Sequence, residues 1–278
     1  MARVMLNGHL VTYEIKGSGP PVLFIHGLGA DRQQSVDALG PADGVTLIAP
    51  DLPGHGDTWR DCLEEGPFSF ARYAKVVCDL LEHLEVRRAV VGGTSMGAGV
   101  ALAVALRSPE VVAGLFLVRP AWLDGPARPH LDIVARVFSQ IASSGTAEAA
   151  RLIERLPEIQ SWRADIPGLA ASILGLAKQT HAASTATHLA LLVEDYPIGS
   201  LSELQTIRCP AWVLGNAADP LHPEQLAETL AAAFPEGRYV HLPPRYLEPT
   251  AFREALVAQF NMFRRVLGPK FDMIGDQS

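Results

Sequence analysis

The sequence predicts an α/β protein: a mostly parallel sheet with helices on both faces and a helical segment inserted between two of its strands. Three observations carry this. Short apolar or β-branched runs alternate with longer stretches of helical periodicity, the pattern of a sheet wrapped on both sides. Residues 120–205 break the alternation with Ala- and Leu-rich sequence that holds no strand pattern. The 278 residues, 48% hydrophobic and 19% charged, are enough for one large domain, or one domain with an insertion, around a sizeable core.

The elements follow in order. VLFIHG (22–27), VTLIAP (45–50) and RAVVGG (88–93) read as buried strands, each ending in Gly or Pro. Between the last two, FARYAKVVCDLLEHL (70–84) sets Ala71, Ala74, Val77, Leu80, Leu81 and Leu84 on one helical stripe. VVAGLFLV (111–118), AWVLGN (211–216) and RYVHL (238–242) are further strands, and PTAFREALVAQFNMFRRVL (249–267) is a closing helix. Inside the insertion, 131–142 and 183–196 have helix length and pattern, and 268–278 reads as a loose tail.

Composition excludes several classes. With 30 acidic against 23 basic side chains the net charge is −7, which argues against a nucleic-acid surface. No apolar signal core and no 18-residue apolar run is present, so the expectation is a cytoplasmic protein with no membrane partner. Cys62, Cys78 and Cys209 are odd in number and form no CxxC pair, which predicts neither a disulfide framework nor a thiolate metal site. Without a P-loop, a dinucleotide fingerprint or H-E-x-x-H spacing, neither metal nor organic cofactor is expected.

The strongest chemical signal is VVGGTSMGAGVAL (90–102), which contains Gly93-Thr94-Ser95-Met96-Gly97 between a strand and a helix. A G-x-S-x-G in that context forms a tight turn that strains the serine backbone and exposes its hydroxyl at the sheet's C-terminal edge. Two upstream segments also follow strands, HGLGAD (26–31) and DLPGHGDT (51–58), and GNAADPLHP (215–223) follows a later one. Together the four motifs resemble the α/β-hydrolase superfamily over nearly the whole chain. That resemblance implies an α/β-hydrolase core at 1–119 and 206–278 with a helical cap at 120–205. It implies Ser95 as nucleophile, Asp219 as the acid, and the backbone N–H groups of Leu28 and Met96 as an oxyanion hole. His26 and His55 read as residues that hold loop geometry.

The resemblance fails at one place. Members of the family carry a histidine base in the loop after the last strand, and here that loop, Pro243 to Glu248, is short and contains none. A serine hydroxyl is a poor nucleophile without a base, and losing one costs roughly 10⁶-fold in turnover. His241 lies within the last strand, His222 reads as a surface-loop residue three positions after Asp219, and His181 and His188 sit in the insertion; none stands out, nor does His130. The expectation is therefore that no histidine comes within about 3.2 Å of the Ser95 hydroxyl, the reach of a general base. Asp219 should then pair with Arg245 or a water.

The functional expectation that follows is an enzyme acting on a small-molecule substrate, a mostly apolar ester, lactone or thioester, through Ser95 with an atypical or missing base. The alternatives are a non-hydrolytic lyase, isomerase or cyclase using the same oxyanion pocket, with Arg245 or Tyr246 orienting a carboxylate or phenolate, and a degenerate ligand-binding member. Trp122 and Trp162 read as core packing. Substrate identity and oligomeric state stay open.

Overall fold

The computed structural model describes residues 1–41, 43–59, 66–125 and 128–268. Cys62 and the tail beyond Gly268 lie outside the described residues.

The chain opens with a hairpin, β1 (Ala2–Leu6) and β2 (His9–Gly17), turned at Asn7-Gly8, where both residues take positive φ. An Asn-Gly pair suits such a turn because it tolerates the left-handed region. The sequence expectation lacks these two strands, and their composition explains why. Three of the five residues of β1 and three of the nine of β2 are exposed, and polar side chains interrupt both, so they show no continuous apolar run. Then come β3 (Pro21–Ile25), α1 (Arg32–Ala38), β4 (Thr46–Pro50), α2 (Phe70–His83), β5 (Ala89–Thr94), α3 (Met96–Arg107) and β6 (Val112–Val118). Four helices follow: α4 (Asp132–Glu154), α5 (Pro157–Asp165), α6 (Pro167–Leu176) and α7 (Ala182–Glu194). The chain returns to the sheet with β7 (Ala211–Asn216), α8 (Glu224–Ala233), β8 (Gly237–Leu242) and α9 (Pro249–Leu267).

One eight-stranded sheet results, in the order β1-β2-β4-β3-β5-β6-β7-β8. From β4 to β8 every pairing is parallel; β2 pairs antiparallel with both β1 and β4 and is the one strand that runs against the others. β3, β5, β6 and β7 are buried along their whole length, which is why they read as continuous apolar runs rather than alternating ones. Each face of the sheet carries its own core. Phe116, Trp212, Phe260 and Phe263 pack on the side of α9, while the larger cluster fills the side of α2, α3 and α8 and continues into the inserted helices. In α2 the buried stripe is Phe70, Tyr73, Ala74, Val77, Leu80 and Leu81; Ala71, placed on it from sequence, is exposed.

The inserted helices are joined to this core by Trp122. It is buried, its indole N–H donates to the Val193 carbonyl at 3.3 Å, and its ring meets Phe70 edge-on at 5.4 Å. Trp162 is partly buried against the same cluster. Because β3, β5, β6, β7 and β8 run parallel, the loops after them open on one edge of the sheet, the usual position of a site in such folds. Ser95, Arg119, Asp219, His222 and Arg245 all come from those loops.

Candidate active site

Ser95 sits at the turn from β5 into α3 with φ 57° and ψ −113°, a backbone conformation that costs a non-glycine residue energy. Two glycines make the turn possible. A Cβ on Gly93 would stand 2.5 Å from the Gly97 carbonyl carbon, and one on Gly97 would stand 2.2 Å from the Ile25 carbonyl oxygen. Strand β3 and helix α3 therefore approach too closely for any side chain. Arg119 (φ 49°) and Ala218 (φ 54°), on the neighbouring loops, are strained in the same sense.

The structure corrects the expectation that no histidine reaches the Ser95 hydroxyl. The His222 Nε2 atom lies 2.9 Å from the Ser95 hydroxyl, and His222 Nδ1 lies 3.0 and 3.1 Å from the two Asp219 oxygens. The cause is local. Asp219-Pro220-Leu221-His222 closes as a turn, with the His222 N–H donating to the Asp219 carbonyl at 3.1 Å, so residues i and i+3 face the same way. His222 is 8% exposed, not the surface-loop residue its setting suggested. The imidazole thus arrives from the loop after β7, while the connection after β8 closes in a tight turn with Leu247 and Glu248 both donating to the Pro244 carbonyl.

The expected donors to Asp219 are corrected as well. Its partners are His222 and Arg119, not Arg245. Arg119, 2% exposed, donates to Asp219 through Nε at 2.9 Å and also through Nη2. The same Nη2 reaches the Tyr246 hydroxyl at 3.2 Å and stands 2.9 Å from His222 Nδ1. Nη2 carries two hydrogens, and Asp219 and Tyr246 take both. Asp219 Oδ1 otherwise receives only the Leu221 N–H at 3.3 Å. The network is fully satisfied when His222 carries its proton on Nδ1 and gives it to Asp219, which turns the Nε2 lone pair toward Ser95. Burial and the adjacent Arg119 cation push the His222 imidazole down to about 4, against the opposing pull of Asp219. Asp219 is held well below the usual carboxylate range: burial works against ionisation, but the charges of His222 and Arg119 outweigh it.

His26 ties the first loop to the second. The Leu52 N–H donates to His26 Nε2 at 3.0 Å, so the ring proton is on Nδ1, which donates to the Gly27 carbonyl at 2.9 Å. The Gly27 N–H in turn donates to Gln34 at 2.7 Å. These contacts fix Gly27-Leu28 beside Ser95. Among the described residues, no hydrogen bond occupies the backbone N–H of Leu28 or of Met96. His55 is buried beside His26, with ring centroids 4.8 Å apart. The remaining candidates are elsewhere. His181 stacks on Trp59 at 3.8 Å, His188 packs against Phe68, His130 meets the Ala121 carbonyl, and His241 pairs with Glu224 on the surface.

Ser95 and His222 open into a cavity of about 90 Å³. Leu28 and Leu221 from the sheet side, and Leu131, Val134, Ile173 and Leu176 from the inserted segment, form its apolar part, while Gln34, Thr94, Ser172, Arg119 and Arg245 bring polar groups to the rest. Among the described residues no three His, Cys, Asp or Glu side chains are grouped to hold a metal ion, and no helix is long and apolar enough to cross a membrane.

The parallel sheet and the strained serine at its edge define a serine-hydrolase-like class of protein. The model of the family described as "Alpha/beta hydrolase family" matches residues 22–254, and the chain belongs to that family. An uncharacterized protein of Mycobacterium tuberculosis is 34% identical over 157 residues, which is 56% of this chain but only 44% of the relative. The chain thus spans under half the length of that curated relative. Among solved structures, a thermophilic esterase from Thermogutta terrifontis superposes with TM-score 0.75 at 23% identity, over 96% of this chain and 98% of the other. An enol-lactonase from Burkholderia xenovorans superposes with TM-score 0.72 at 20% identity, over 95% and 100%. At these identities the likeness is one of fold.

Proposed function

We propose that the protein is a serine hydrolase of small, mostly apolar esters, lactones or thioesters. In this reading Ser95 is the nucleophile, His222 the general base and Asp219 the acid that orients it. The observation that carries it is the continuous chain from Ser95 Oγ to His222 Nε2 at 2.9 Å and from His222 Nδ1 to Asp219 at 3.0 Å. Both contacts are within the reach a general base needs.

The chemistry follows from those positions. His222 Nε2 takes the Ser95 proton as Oγ bonds to the substrate carbonyl carbon, and the carbonyl oxygen gains the negative charge. The N–H groups of Leu28 and Met96 receive that oxygen; one such donor is worth about 2.7–4 kcal/mol of barrier. Collapse breaks the bond to the leaving alcohol or thiol, which takes the proton from His222. A water then repeats the sequence on the acyl-serine, giving the carboxylic acid and free Ser95. Helices α4 to α7 serve as a cap: their apolar side chains close the cavity over Ser95 and suit an apolar acyl group, in line with the esterase and lactonase chemistry named for two proteins of the same fold.

A fluorophosphonate probe followed by peptide mass spectrometry tests the reading. The expected result is an adduct on Ser95 that is lost in His222→Ala. Folded protein without an adduct would remove Ser95 as the nucleophile. A second reading, a lyase, isomerase or cyclase that uses the pocket without acylating Ser95, draws support from the low basicity of an imidazole pushed to about 4. It predicts turnover in Ser95→Ala within about tenfold of the parent, where the hydrolase loses more than about 10³-fold.

A further inference from the structure

Among the described residues, one cation at this site forms no ion pair. Arg245, on the turn between β8 and α9, lines the same cavity as Ser95 and His222. Among the described residues its guanidinium makes no ion pair and no hydrogen bond, and it is left over two ring faces, 5.5 Å from the centroid of Tyr246 and 5.9 Å from that of Phe252. Arg119 also lines the cavity, but its charge is matched by Asp219. The lining contains no aspartate or glutamate at all, in a chain that carries 30 acidic against 23 basic side chains. The cavity is therefore a cationic spot of one uncompensated charge within an acidic protein.

Its position is as informative as its charge. Arg245, Thr94, Ser172 and Gln34 also line a wider groove, whose lining includes one carboxylate, Asp37, and a second cation, Arg253. Arg245 thus stands on the wall shared by the Ser95 cavity and the groove that leads past it. The same cavity is lined by apolar side chains of α4 and α6. A half-buried guanidinium with no partner is costly, and its planar fork matches a carboxylate in two parallel hydrogen bonds.

We propose that the substrate is a carboxylate-bearing ester, lactone or thioester, a monoanion whose carboxylate pairs with Arg245 while its scissile carbonyl reaches Ser95. This rests on the hydrolase reading for the reaction, but the anion site stands on its own geometry. The small cavity selects a short chain between the two groups, and the apolar wall takes the uncharged end.

Two measurements test it. The first compares kcat/KM for mono-4-nitrophenyl succinate with that for 4-nitrophenyl butyrate, which matches it in chain length and lacks the charge. The anionic ester should be preferred, and in Arg245→Met the ratio of the two should fall by about tenfold or more, carried by KM of the anionic ester, with Arg245→Lys recovering part of it. The second is calorimetric binding of monomethyl succinate against dimethyl succinate to Ser95→Ala, which needs no turnover. Binding of the monoanion that weakens by a similar factor in Ser95→Ala/Arg245→Met supports the site even if no ester is hydrolysed, and the failure then belongs to the hydrolase reading. Equal preference for the two esters, or equal binding of the two succinates, with the ratio unmoved in Arg245→Met, overturns the proposal and leaves the hydrolase reading intact.

Discussion

At the scale of single residues, the Nδ1 proton of His222 lies between a carboxylate that only accepts and a guanidinium that only donates. In the proposed reaction Asp219 favours the imidazolium that would form as Ser95 gives up its proton, and Arg119 opposes it. On that proposal Arg119 acts through His222, as a positioning residue. Burial is the largest cause of the low His222 value and Arg119 the next, so removing the cation should raise it without restoring it fully. In Arg119→Met the acid limb of kcat/KM should move from near pH 4 toward 6.5, while Arg119→Lys, which keeps the charge, should leave it low. An unmoved limb in Arg119→Met would show that burial alone sets the base. Truncating His222 to Ala should lower kcat by roughly 10⁴–10⁶-fold. His241→Ala, on the surface against Glu224, should stay within about twofold, as exposed positions away from such features do. The reverse order of these two variants would return the base to the last strand.

At the scale of elements, the elbow depends on β3, β5 and α3 approaching more closely than side chains allow. Gly97→Ala sets a Cβ 2.2 Å from the Ile25 carbonyl oxygen and should cost about 1–3 kcal/mol, with loss of probe labelling at Ser95. Gly175, inside α6, has nothing within 4 Å of an added Cβ, so Gly175→Ala should stabilise by about 0.5–1 kcal/mol. Urea midpoints of the two variants check both; equal shifts would refute the packing argument. The same elements show what a reader of the sequence can and cannot see. β7 and α9 lie where their patterns put them, at Ala211–Asn216 and Pro249–Leu267, because a strand buried on both faces or a long amphipathic helix repeats its signal along its length. β1 and β2, partly exposed and interrupted by polar side chains, repeat no such signal. Ser95 was legible because its motif is contiguous. His222 was not, because its meaning depends on a four-residue turn that brings it back over Asp219 and on a distance to Ser95 that spans 127 positions of sequence. The one available clue was the i, i+3 spacing of Asp219 and His222.

At the scale of the whole molecule, four histidines, His26, His55, His130 and His222, share one direction of shift. His26 and His55, fully enclosed between the first two loops, are lowered chiefly by burial, and His55 is lowered further by its neighbour His26. His130 and His222 are lowered first by burial too. A histidine whose folded value lies below its unfolded value near 6.5 binds fewer protons in the native state than in the unfolded chain. Its contribution to stability is therefore complete above about pH 6.5 and is lost as pH falls through the folded value. Asp219, depressed by His222 and Arg119 against the effect of burial, adds a loss of the same sign at still lower pH. These losses have the same sign and accumulate. The urea midpoint should fall steadily from pH 7.5 to pH 5, before carboxylates as a class begin to protonate. In His55→Gln the slope over that interval should be shallower, since one enclosed imidazole no longer has to be kept neutral. The variant's own midpoint at pH 7.5 serves as its reference, so any packing loss from the substitution does not enter the slope. A midpoint that is flat or rises toward pH 5 in the parent would mean that the enclosed histidines reach solvent and titrate as they do in the unfolded chain.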